Sequence, residues 1–93
     1  MSVTKEVDEI RYMKKARKFI ASRSSEEKLR IYNAITDNLS HVPPTGDVQV
    51  MQGHSDGSMR LRVGCFRILF RYDHGDLLIL EILDIGNRGD VYK

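Results

Sequence analysis

The chain has 93 residues, 41% apolar and 30% charged, with a formal net charge of +2 and one cysteine. This is enough for a single modest core, so one domain spanning residues 1–93 is expected. The longest apolar run, Leu77 to Leu80, is far short of the roughly 18 residues a membrane helix needs, and a lone Cys65 cannot close an internal disulfide. The opening residues Met1 to Glu6 carry no apolar stretch of the secretory type, so a cytoplasmic protein is expected.

Charge distribution says more than net charge. Residues 1–44 hold nine Lys/Arg and six Asp/Glu. Residues 45–93 hold six basic groups, and five of them are arginines: Arg60, Arg62, Arg67, Arg71 and Arg88. Lysine would serve diffuse attraction equally well. Arginine offers a rigid fork that bonds phosphate with direction.

In chain order, Val7 to Tyr12 reads as a first strand. Lys14 to Ala21 has helical spacing, with Met13, Ala16, Phe19 and Ile20 on the apolar side. Ser24 to Glu27 has the form of a capping box and opens a second helix running to about Leu39. Leu29, Ile31, Ala34, Ile35 and Leu39 supply its apolar residues, and Pro43-Pro44 stops it. The run Lys14-Lys15-Ala16-Arg17-Lys18 reads as a solvated basic helix face. His41 lies where it can meet the helix dipole.

From Gly46 onward the period becomes two. Asp47 to Met51, Ser58 to Val63, Cys65 to Tyr72 and Leu77 to Ile85 read as strands. Residues 53–57 form a turn that includes His54, and Asp73-His74-Gly75-Asp76 a tight hairpin with a glycine for positive φ. Leu77 to Ile85 is apolar on both parities, as in a strand covered on both faces. Cys65 reads as a small buried hydrophobe. The order gives an α+β domain: a two-helix hairpin on one face of a mostly antiparallel, twisted four- to five-stranded sheet.

In Met59-Arg60-Leu61-Arg62-Val63 and Phe66-Arg67-Ile68-Leu69-Phe70-Arg71 the arginines alternate with apolar residues. Successive strand residues point to opposite faces, so this pattern gathers guanidiniums on one side with a core behind. Arg71, next to the hairpin turn, reads as solvated or partner-facing. No pair of histidines has metal-ligand spacing, so no metal and no cofactor are expected.

The stretch Met59 to Ile68 resembles the Arg-x-Arg-Val-Gly-x-Tyr/Phe-Arg-Ile core of the RelE/ParE superfamily of toxins. Asp84-Ile85-Gly86-Asn87-Arg88-Gly89-Asp90-Val91-Tyr92 resembles that family's closing Val-Gly-His-Arg-x-x-Val-Tyr. The resemblance covers the whole chain. It implies the toxin of a type II toxin–antitoxin pair: a RelE-like, ribosome-dependent endoribonuclease, or mRNA interferase, that inhibits translation by cutting mRNA in the ribosomal A site without a metal. The implied partners are a RelB-like antitoxin, the ribosome and mRNA. The alternatives are a ParE-like inhibitor of DNA gyrase, acting by protein contact, and a catalytically degenerate toxin.

The resemblance also distributes roles. Arg67, Arg88 and Tyr92 are the catalytic candidates. Arg67 would hold the scissile phosphate, Arg88 would stabilise charge near the leaving oxygen, and Tyr92 would stack on a base or hydrogen-bond the 2′-oxygen. Arg60 and Arg62 would bind the RNA backbone. Some relatives carry lysine where this chain has Arg60 and Arg62, and His or Lys where it has Asn87. Arginine does not give up its proton, so these proton carriers are missing here.

Overall fold

The computed structural model describes residues 4–51 and 57–87. The chain runs β1 (Lys5–Glu6), β2 (Glu9–Tyr12), α1 (Lys14–Ala21), α2 (Ser25–Leu39), β3 (His41–Val42), β4 (Asp47–Val50), β5 (Met59–Val63), β6 (Phe66–His74) and β7 (Leu78–Asn87). Five strands form one sheet in the order β2-β7-β6-β5-β4, and β1 pairs with β3 in a separate two-stranded ribbon. All neighbours in the large sheet are antiparallel except β2 and β7, which run parallel. The expected α+β architecture is present.

The two helices follow their sequence signals. Ser24 caps α2, and its side chain and that of Glu27 satisfy each other's backbone N–H groups in a complete capping box. Residues Ile31, Ala34, Ile35 and Leu39 of α2, with Ala16 and Ile20 of α1, are buried in one cluster with Leu61, Phe66, Ile68, Phe70, Leu80, Ile82 and Ile85 of the sheet. Phe19 meets Phe66 edge to face at 5.9 Å. Leu29 does not join this core and is 62% exposed. It lies two residues before Ile31, roughly 200° round the helix from the buried stripe.

The strands depart from expectation in instructive places. The first strand is split. Val7 donates its N–H to the carbonyl of Ser40 and Asp8 to that of Leu78, so the chain crosses from the ribbon into the sheet there. Asp8 also accepts the Leu78 N–H at 2.7 Å, tying the start of β7 to this crossing. Strand β3 lies between the helix and the two prolines. The helix has already ended at Ser40, whose hydroxyl donates to the Thr36 carbonyl. Strand β6 runs on to His74, and Gly75 is not in the left-handed region. Its N–H instead donates to the Leu77 carbonyl. Cys65 is exposed rather than buried, because Gly64 and Cys65 are the two tip residues of the β5–β6 hairpin.

The double apolar parity of β7 has two causes: Leu78, Ile79 and Leu80 are buried in succession, so both faces are covered there, and a bulge acts further on. The pairing of β6 with β7 shifts between Leu69 and Phe70, leaving Leu83 as an extra, bulged residue. The bulge changes the phase of the strand, so Leu80, Ile82 and Ile85 all face the helices despite their mixed parity.

Tyr72 ties the sheet to the end of α2. Its hydroxyl lies 2.9 Å from the Leu39 carbonyl and 3.2 Å from that of His41, and donates to them. Both are acceptors beyond the reach of the helix ladder. Burial pushes the Tyr72 phenol up to about 12 from 10.0. A raised phenol contributes stability that is complete below pH 10 and is lost as pH climbs towards 12. Tyr72→Phe is therefore expected to lower the unfolding free energy by about 1 kcal/mol at neutral pH. Urea denaturation should also show a shallower loss of stability between pH 10 and 12 in the variant than in the parent.

Candidate nucleic-acid interface

The hairpin register decides where the arginines go. Gly64 takes φ +54, and Val63 pairs with Phe66 across a two-residue turn. Leu61, Phe66 and Ile68 then face the helices. Arg60, Arg62 and Arg67, of opposite parity, face the other side of the sheet.

Register places four residues in one line across that face. Asp47 of β4 lies opposite Arg62 of β5, Arg62 opposite Arg67 of β6, and Arg67 opposite Gly86 of β7. The next line holds Gln49, Arg60, Leu69 and Asp84. Two guanidinium-bearing residues thus sit directly across from each other, an arrangement that costs folding stability unless an anion compensates. One end of the line carries a carboxylate. The other end is glycine, with no side chain.

The three arginines differ in access. Arg60 is 3% exposed, and one of its terminal nitrogens donates to the Gln49 side-chain oxygen. Its other terminal nitrogen is 3.9 Å from Asp47 Oδ1. The Arg62 side chain is 37% exposed, and its Nε is 3.7 Å from Asp47 Oδ2. These are ion-pair separations, too long for hydrogen bonds. Arg60 Nε and Nη1 and Arg62 Nε find no hydrogen-bond partner among the described residues. Arg67 is half-buried beside Arg62. Arg60 is thus buried in the neighbouring line, and Arg62 and Arg67 present the accessible charge.

Arg71 belongs to a different arrangement. Its Nε bonds Glu81 Oε1 at 2.6 Å across the β6–β7 pair, and Glu81 is itself largely buried. The Arg71 side chain is still 38% exposed, and it lies away from the Arg62–Arg67 line.

Other candidates separate cleanly. His41 sits at the end of α2 with one ring nitrogen 3.2 Å from the Asp37 carbonyl and the other 2.9 Å from that of Pro43. His54, Arg88 and Tyr92 lie outside the described residues; among the described residues this face of the sheet brings together Arg60, Arg62 and Arg67. No group of three or more His, Cys, Asp or Glu able to hold a metal occurs among the described residues, and no described helix is long and apolar enough to cross a membrane.

On the opposite side, Tyr12, Ile20, Ala21 and Tyr32 line an open groove of about 370 Å³ rimmed by Arg17 and Lys28. Tyr12 and Tyr32 meet edge to face at 5.9 Å. Asp47 and this groove escaped sequence reasoning. Asp47 carries no local motif, and its place in the row follows only from pairing with β5.

No protein-family model and no curated protein matches this sequence. Among solved structures, a chain of the archaeal RelE–RelB complex from Pyrococcus horikoshii superimposes with a TM-score of 0.69 and 23% identity. The match covers 88% of this chain and 96% of that one. The chain thus has the RelE-like fold, two helices against a mostly antiparallel five-stranded sheet.

The difference in access has a direct consequence for stability. Arg60→Ala should cost about 2–4 kcal/mol, since it empties the volume of a nearly fully buried side chain. Arg62→Ala should change stability by less than about 1 kcal/mol. Urea-denaturation midpoints of the two variants test this ranking directly.

Proposed function

We propose that this protein is the toxin of a type II toxin–antitoxin pair, a ribosome-dependent endoribonuclease that cuts mRNA in the A site. The observation that carries this reading is the cross-strand pair Arg62–Arg67 on the open face of the sheet. Two like charges held side by side, with Asp47 only at ion-pair distance from Arg62, make a seat that attracts an anion. A phosphodiester supplies one.

In this reading Arg67 holds the scissile phosphate and Arg62 the adjoining backbone. The 2′-oxygen attacks phosphorus and loses its proton, a 2′,3′-cyclic phosphate forms, and the 5′-oxygen leaves and gains a proton. Charge grows on the non-bridging oxygens during this step, and fixed guanidiniums stabilise it without reorganising. Arg88 stabilises charge near the leaving oxygen and Tyr92 contacts a base or the 2′-oxygen, roles that rest on the sequence resemblance. Arg60, beneath the surface, orients Arg62 rather than touching RNA.

A RelB-like antitoxin is the proposed partner. The structural neighbour is a RelE–RelB complex. The groove between Tyr12 and Tyr32, with exposed Leu29 beside it on α2, offers an apolar surface for such a chain.

Primer extension on a defined mRNA in a purified translation system tests this. The parent protein should produce cuts within ribosome-bound codons and none without ribosomes. Arg67→Ala should reduce cleavage about 100- to 1000-fold with the fold intact, as for loss of one donor to the developing charge. Arg71→Ala should stay within about threefold of the parent. Uncut mRNA together with inhibited DNA supercoiling would replace this reading with gyrase inhibition.

A further inference from the structure

We propose that Asp47 is a built-in competitor for the phosphate seat, setting how tightly the Arg62–Arg67 pair holds an anion. The inference rests on the reading of that pair as a phosphate seat and adds a residue to it. Asp47 stands at the edge of the sheet, on β4, in register with Arg62. Its two carboxylate oxygens reach towards different arginines, Oδ1 at 3.9 Å from Arg60 and Oδ2 at 3.7 Å from Arg62. Neither approach is a hydrogen bond. The carboxylate is therefore close enough to attract both guanidiniums, yet the directional donors of Arg62 are left unspent. Arg60 Nε and Nη1 and Arg62 Nε, all inaccessible to solvent, have no hydrogen-bond partner among the described residues.

The consequence is a graded seat. With Asp47 present, the like-charge cost of Arg62 beside Arg67 is partly offset, which lets the row persist without a ligand. An arriving phosphate meets the same two effects in reverse. It is drawn by the charge of the two guanidiniums, and it is repelled by a carboxylate one strand away. The Asp47 side chain is 57% exposed and accepts no hydrogen bond among the described residues, so it is able to swing aside when the anion arrives. Holding affinity down suits a protein that must leave one cut RNA and reach another.

The test titrates inorganic phosphate, at fixed ionic strength, into the full chain labelled with ¹⁵N and followed at the arginine Nε–H signals. Parent, Asp47→Asn and Asp47→Glu are compared after melting curves establish that all three are folded. Phosphate should perturb Arg62 and Arg67. Asp47→Asn should bind about 5- to 20-fold tighter, the range expected for removing one charge at a partly exposed site. Asp47→Glu, which keeps the charge, should stay within about twofold of the parent. Equal or weaker binding by Asp47→Asn overturns the proposal, as does the absence of any response at Arg62 and Arg67. Primer extension on ribosome-bound mRNA with the same variants separates the two claims. Tighter phosphate binding with no mRNA cleavage by any variant keeps Asp47 as the competitor and removes the ribonuclease reading.

Discussion

The register of the β5–β6 hairpin is the constraint on which the rest of the molecule depends. A two-residue turn with Gly64 in the left-handed region fixes Val63 against Phe66. A slip of one residue would move every side chain to the other face. Leu61, Phe66, Ile68 and Phe70 would leave the helices, and Arg62 and Arg67 would enter the core. The apolar face therefore enforces the arginine face. The burial that drives folding is also what holds two guanidiniums side by side against their mutual repulsion.

Much of this was legible in the chain itself, because the signals are local. The capping box from Ser24 to Glu27 marked the start of α2, and alternation from Met59 to Phe70 marked two strands and their charged parity. What failed depended on contacts between distant segments. The bulge at Leu83 that reconciles Ile82 with Ile85 exists only in the pairing with β6. The crossing at Val7–Asp8 depends on Ser40 and Leu78. Leu29 was counted among the apolar residues of α2, although its angular position sets it off the buried stripe.

The site was legible in part for the same reason. Alternation assigned Arg60, Arg62 and Arg67 to one face, but says nothing about depth. Only the structure separates Arg60, buried and bonded to Gln49, from the accessible Arg62 and Arg67. It also pairs Arg71 with Glu81, ten positions along the chain and directly across β6 and β7. Asp47 could not be found without the β4–β5 pairing. A face built this way combines one buried arginine, two presented ones and the acids Asp47 and Asp84. Its electrostatics are near the surface, so salt should tune it strongly.

The central claim is that Arg62 and Arg67 neutralise RNA phosphates. Its most direct test is the salt dependence of binding to ribosomes programmed with an mRNA made uncleavable by a 2′-O-methyl group at the A-site codon. Each phosphate neutralised on a single strand contributes about 0.7 to the slope of log affinity against log salt. Arg62→Gln and Arg67→Gln should each weaken binding and flatten that slope by about 0.7, while Arg71→Gln leaves it unchanged. Parallel slopes for the parent, Arg62→Gln and Arg67→Gln would contradict the account.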